Sequence, residues 1–130
     1  MPYSLPVLVV DDTDICRMGT ALLLESMGFK CDQALNGFDA LDRFKAGKYG
    51  AILMDYEMQG MNGAQCTDTI RKLEATTGAR TPVIGLTSHN QPDIIRECLE
   101  SSMDTVLPKD CQSKELFDVL ETLMFARSKN

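Results

Sequence analysis

Three short, uninterrupted apolar runs constrain this chain more than any other feature: residues 5–10 (LPVLVV), 51–54 (AILM) and 83–86 (VIGL). Each is too brief for a buried helix and carries β-branched residues, so each suits a strand covered on both faces. Strands buried on both faces belong to parallel sheets flanked by helices. Weaker strand signals at 30–34 and 105–107 add two more candidates.

Helical patterns fill the intervals. Residues 14–27 carry Ile15, Met18 and Leu22 at helical spacing and stop at Gly28, a residue suited to closing a helix. A second helix opens at Asn36-Gly37 and ends near Gly47, with Ala40, Leu41 and Phe44 on one face. Residues 63–75 align Cys66, Ile70 and Leu73; residues 91–101 carry Ile94, Ile95, Cys98 and Leu99; residues 113–126 carry Leu116, Leu120 and Leu123. Five strand–helix pairs in alternation predict an open α/β sheet with right-handed crossovers, whose ligands bind beyond the carboxyl ends of the strands.

With 130 residues, 44% of them hydrophobic, the chain is expected to form a single domain over 1–130. Its formal charge of −6, its pI near 4.7 and the lack of a Lys/Arg cluster argue against direct nucleic-acid binding. The apolar runs fall far short of the ~20 residues that a membrane span needs, so no membrane association is expected. Cys16, Cys31, Cys66, Cys98 and Cys111 form no CxxC pair and have no histidine at metal-ligand spacing. They read as reduced thiols of a cytoplasmic protein, mostly small core fillers.

The polar residues fall at the ends of the strands. Asp11 and Asp12 follow the first run, Asp55 ends the third strand, Thr87 the fourth, and Lys109 comes just after the fifth. In a parallel sheet those ends share one edge, so three carboxylates, a hydroxyl and an ammonium converge. Crowded carboxylates raise one another's pKa unless a cation sits among them. An all-oxygen donor set suits Mg²⁺ rather than zinc. An aspartate can attack phosphorus, while Mg²⁺, Lys109 and the Thr87 hydroxyl would neutralise and position the transferred group. Taken singly, each residue has a plainer use: the acidic pair as a helix cap, Thr87 as a turn former, Lys109 as a solvated charge. Joint placement at four strand ends favours the chemical use.

At this point the chain resembles the response-regulator receiver domains of two-component signalling, from about Pro6 to Phe125. The resemblance rests on VLVVDD (7–12), LNGFDAL (35–41), AILMDYEMQGMNG (51–63), PVIGLTS (82–88) and VLPK (106–109). It implies a five-stranded parallel sheet in the flavodoxin-like order 2-1-3-4-5 with five helices on both faces. It also implies Asp55 as phosphoacceptor, a Mg²⁺ site made by Asp11, Asp12, Asp55 and the backbone carbonyl of Glu57, and phosphoryl contacts from Thr87 and Lys109. Arg17, TPVIGLTSH (81–89) and ECLESSMD (97–104) are similar to receivers of hybrid histidine kinases. The implied partners are a histidine kinase or a histidine phosphotransfer domain, with small phosphodonors as substitutes. The protein would act as a switch, not as a metabolic enzyme.

Several positions depart from that pattern. Gln59 and Asp110 stand where proline is usual, Val106 where Tyr or Phe is common, and Ser101-Ser102 where a small residue precedes glycine. Gln59 is expected to loosen the loop after Asp55, and Val106 to remove an aromatic coupling. The Lys109–Asp110 peptide is expected to be trans, since a non-proline cis bond costs about 2.5–4 kcal/mol. By resemblance Glu57 and His89 border the path of an attacking water, which makes His89 a candidate for modulating phosphoryl loss near neutral pH. Met54, Met58 and Met61 read as packing residues. The TTGART segment (76–81) follows a helix instead of opening one, so it does not read as a phosphate loop. A small aspartate-nucleophile phosphatase is the rival reading of the acid-x-acid pair Asp55 and Glu57, and a binding-only pseudo-receiver is a third.

Overall fold

A computed structural model describes residues 5–88 and 91–128. The elements alternate as expected: β1 (Val7–Val10), α1 (Asp14–Ser26), β2 (Cys31–Ala34), α2 (Gly37–Ala46), β3 (Ala51–Asp55), α3 (Gly63–Glu74), β4 (Val83–Thr87), α4 (Pro92–Glu100), β5 (Thr105–Pro108) and α5 (Ser113–Ser128). The five strands form one parallel sheet in the order β2-β1-β3-β4-β5. Every residue of β1 and β3 is buried, which explains why their sequences run apolar without alternation.

Strand periodicity divides the core in two. Leu8, Val10, Ile52 and Met54 point to one side and pack with Ala40, Cys66, Ile70 and Cys98 of α2, α3 and α4. Val7, Val9, Ala51 and Leu53 point to the other and pack with Leu24 of α1 and Leu116, Leu120 and Met124 of α5. Phe29 and Phe117 add a tilted ring pair at 5.9 Å on that second side. Among the cysteines, Cys66 and Cys98 fill the core, Cys31 and Cys111 are half-buried and Cys16 is exposed; all five are free thiols. Met54 is buried, and Met58 and Met61 pack against the first core, as expected of packing residues.

One helix face differs from the sequence reading. The stripe Ile15, Met18, Leu22 of α1 lies in solvent, with Ile15 85% and Leu22 68% exposed. The buried face is Arg17, Ala21, Leu24 instead. Ala21 brings the helix close to β2, where the Cys31 thiol meets its carbonyl. Arg17 tolerates burial because its guanidinium is satisfied: it donates to Gln33 Oε1 (3.0 Å), to the Asp11 carbonyl (3.0 Å) and to Asp14 Oδ1 (2.7 Å). Apolar spacing alone picked the wrong stripe, because a fully hydrogen-bonded arginine can displace a leucine from the core side of a helix.

Helix ends set the loops that matter for the site. Asn62 caps α3 in a reciprocal capping box with Gln65. Gly63, the first residue of that helix, lies so close to β3 that a Cβ would stand 2.4 Å from the Asp55 carbonyl oxygen. Its amide donates to the Tyr56 carbonyl at 3.0 Å. The loop from 56 to 62 is therefore folded back on the end of β3, with Gly60 supplying a left-handed turn at φ +83°.

Candidate functional site

The carboxyl ends of β1, β3, β4 and β5 meet at one edge and bring the singled-out residues together. Asp55, the last residue of β3, is only 1% exposed. Asp11 follows β1 and is buried, whereas Asp12 beside it is exposed. Asp11, Asp12 and Asp55 each bring a carboxylate oxygen to within 4.8 Å of the others. Lys109, whose backbone N–H donates to the Thr87 carbonyl (2.9 Å), reaches across with Nζ 3.0 Å from Asp55 Oδ1 and 3.6 Å from Asp11 Oδ2. The Lys109–Asp110 peptide is trans, as expected.

Asp55 is the unusual member. Lys109 sits beside it as an ion pair, yet neither carboxylate oxygen accepts a well-aligned hydrogen bond. Burial pushes its carboxyl from 3.8 up to about 7; Lys109 pulls the other way, and Asp11 and Glu57 add to the rise. Burial pulls the Lys109 ammonium down, but Asp55 and Asp11 outweigh it and hold the group above its ordinary value. A buried carboxylate with open lone pairs, flanked by two more carboxylates, is a donor set for a hard cation. No thiol or imidazole joins this cluster among the described residues.

The other side chains are tethered in ways the sequence did not reveal. Asp11 Oδ1 accepts from the Thr13 amide at 2.9 Å. Asp12 Oδ2 accepts from the Gln59 amide at 3.0 Å. Gln59 therefore does not simply loosen its loop: its N–H, which a proline would lack, ties the loop to Asp12. Thr87 donates its hydroxyl to Glu57 Oε2 at 2.9 Å, and Ser88 donates its amide (3.4 Å) and hydroxyl (3.2 Å) to Glu57 Oε1. Tyr56 donates its hydroxyl to Glu97 Oε1 at 2.6 Å, which links the residue after Asp55 to α4. Val106 is half-buried and lines a cleft of about 540 Å³ with Thr87, Ile95 and Lys109. His89 lies outside the described residues.

Sequence reasoning named Arg17 and Glu57 but not what their side chains hold. Arg17 braces the Asp11 carbonyl from below, and the signal was there in the 17, 21, 24 spacing with an acid at 14. The Glu57 side chain carried no such signal, since its partners come from another strand end.

Fold and site together match one class of protein. The response regulator receiver domain family matches residues 7–121, and the chain belongs to that family. It is 35% identical over 115 residues to the sensor histidine kinase GacS of Pseudomonas protegens, covering 88% of this chain and 12% of the relative. It is 39% identical over 103 residues to the sensor histidine kinase RcsC of Escherichia coli, covering 79% of this chain and 10% of the relative. The chain thus spans only about a tenth of the length of these relatives. Among solved structures it superposes with a TM-score of 0.84, at 28% identity, on the receiver domain of a sensor histidine kinase from Pseudomonas aeruginosa with a magnesium ion coordinated in its active site cleft. That match covers 92% of this chain and 97% of the other. No helix among the described residues is long and apolar enough to cross a membrane.

Proposed function

We propose that Asp55 accepts a phosphoryl group from a phosphohistidine donor and that this charge change drives a signalling switch. The observation that carries the reading is the Asp55 carboxylate: buried, short of hydrogen bonds, and facing Lys109 at 3.0 Å. Buried, under-bonded carboxylates of this kind cluster at sites whose chemistry uses them.

Asp11, Asp12 and Asp55, with the backbone carbonyl of Glu57, would hold Mg²⁺ in this reading. A divalent cation held there would offset the negative charge of the entering phosphoryl group. Asp55 forms the new O–P bond as the P–N bond to the donor imidazole breaks, and the leaving ring keeps the electron pair. Lys109 is placed to pair with a phosphoryl oxygen, and Thr87 to donate a hydrogen bond to another. Arg17 fixes the Asp11 backbone and keeps the acidic pair in register with Asp55.

The donor is a histidine kinase or a histidine phosphotransfer domain, with small phosphodonors able to substitute. The exposed Ile15, Met18, Leu22 stripe begins one turn beyond Asp12, and it gives a donor domain an apolar face to press against. The test is incubation with a small phosphodonor and Mg²⁺ followed by intact-mass measurement. One phosphoryl adduct per chain is expected for the wild type and none for Asp55→Asn; equal labelling of the two would refute the assignment.

A further inference from the structure

Thr87 has one hydroxyl proton and can donate it to one acceptor at a time. In this structure it donates to Glu57 Oε2 at 2.9 Å, while the Ser88 amide and hydroxyl converge on Glu57 Oε1 at 3.4 and 3.2 Å. Among the described residues the Glu57 carboxylate thus gathers three donors from the end of β4, and one of them is the hydroxyl that the proposed function assigns to a phosphoryl oxygen. We infer that Glu57 is an internal stand-in for the phosphoryl group: it latches Thr87 and Ser88 while Asp55 is unmodified, and it must release them before a phosphoryl group on Asp55 can engage Thr87.

Three features beyond the hydrogen bonds support a latch. Glu57 and Asp55 share one loop end, two residues apart, so the stand-in and the modified group compete for the same donors from the same side. Each acceptor would fill the one acceptor position in front of the Thr87 hydroxyl proton, so one must leave before the other enters. The residue between them, Tyr56, is fixed to Glu97 of α4 at 2.6 Å, and its carbonyl accepts from Gly63. Release of Glu57 therefore turns its side chain out of the loop while the backbone stays anchored. Glu57 acts through Thr87 and is a positioning residue; it sets how much of the binding of a phosphoryl group is lost to displacing the latch.

This inference rests on Asp55 as the phosphoacceptor, and the experiment separates the two. Beryllium fluoride with Mg²⁺ serves as the phosphoryl probe, titrated into wild type, Glu57→Ala, Glu57→Asp and Glu57→Gln while the Ser88 amide and Thr87 methyl resonances are followed. Aspartate keeps the charge but is one methylene too short to reach Thr87; glutamine loses the charge but keeps an acceptor oxygen. The latch predicts that Ala and Asp both bind the probe about tenfold more tightly, the effect of one charge-assisted hydrogen bond, with Gln between them and wild type because its one carbonyl oxygen still accepts from Thr87. It also predicts that, before probe or Mg²⁺ is added, Ala and Asp both shift the Ser88 amide proton upfield. Simple charge repulsion predicts the other pairing, Ala with Gln and Asp with wild type. That pairing, or four equal affinities, would overturn the latch. A wild type that binds no probe at all would overturn the phosphoacceptor reading and the latch with it.

Discussion

Two polar clusters sit at opposite ends of this sheet and solve opposite problems. At the end where β4 and β5 begin, Arg71 donates to Glu74 Oε1 (2.8 Å), to the Thr81 carbonyl (2.8 Å), to the Ser102 carbonyl (3.0 and 2.9 Å) and to Asp104 Oδ2 (3.1 Å). Glu74 also accepts from the Thr81 amide, Asp104 accepts from the Val83 amide, and Arg80 adds a second contact to Asp104. Every charge there has a partner with good geometry. At the other end Asp55 is more deeply buried than any of these charges, yet its oxygens accept no well-aligned hydrogen bond. Satisfied, a polar cluster is a clamp; left short, it is a receptor for something that arrives later. The contrast separates structural from functional charge more sharply than burial or residue type.

The largest break in the comparison comes from removing one residue at each end. Arg71→Ala leaves the Glu74 and Asp104 carboxylates without their shared cation and should cost about 3 kcal/mol, the usual consequence of stranding a buried charge. Asp55→Asn deletes a carboxylate whose burial its ion pair with Lys109 does not offset, and should raise stability by about 1–2 kcal/mol at pH 8 without Mg²⁺. Urea unfolding of both variants checks the signs. Two losses of similar size would mean that Asp55 is held by the fold as firmly as Arg71.

A smaller effect follows from protonation. The Asp55 carboxyl titrates near 3.8 when exposed and near 7 in the folded chain, so the folded state binds this proton more tightly than the unfolded one. The stability it lends is fully present below the lower value and is lost as pH rises through the upper one. In Mg²⁺-free buffer the melting temperature should fall from about pH 5 to about pH 8 by several degrees more in wild type than in Asp55→Asn. Parallel profiles would show that the carboxyl is not raised. Added Mg²⁺ should flatten the wild-type slope, because a cation that prefers the ionised cluster offsets the cost of ionising it.

The sequence and the structure agree where one force dominates. Apolar runs placed β1, β3 and β4 within two residues at each end, because a strand covered on both faces leaves little freedom in composition, whereas the edge strands β2 and β5 gave weaker signals. Asp11, Asp12, Asp55, Thr87 and Lys109 were legible because parallel topology fixes which strand ends share an edge. Agreement ended where forces compete. Ile15, Met18 and Leu22 formed the more apolar stripe of α1, but a hydrogen-bonded Arg17 won the buried face. Gln59 read as a missing proline, and only the fold showed that its amide holds Asp12. The Glu57 carboxylate and Thr87 hydroxyl lie thirty positions apart, and no spacing rule pairs side chains across two loops.

The smallest expected effect sharpens the satisfied end. Ser102 follows α4 at φ +74°, the only described non-glycine residue with a positive φ. Its amide donates to the Leu99 carbonyl (3.0 Å) and the next amide, Met103, donates to Cys98 (3.2 Å), the closing bonds of a helix that ends in a left-handed residue. Arg71 and Arg80 hold Ser102 through its carbonyl, not its side chain, and that side chain is exposed. Ser102→Gly therefore removes left-handed strain of about 1 kcal/mol without touching the clamp, against a smaller gain in unfolded-state entropy. A net stabilisation of roughly 0.5 kcal/mol is expected, read as a higher denaturation midpoint with an unchanged slope. Ser101→Gly is the contrasting control: at φ −77° it relieves no strain, and it also gives up the bond from its hydroxyl to the Cys98 carbonyl (2.6 Å), so it should lose about 1–2 kcal/mol. If both substitutions destabilise, the backbone after α4 is not strained at Ser102, and the clamp costs the fold nothing there.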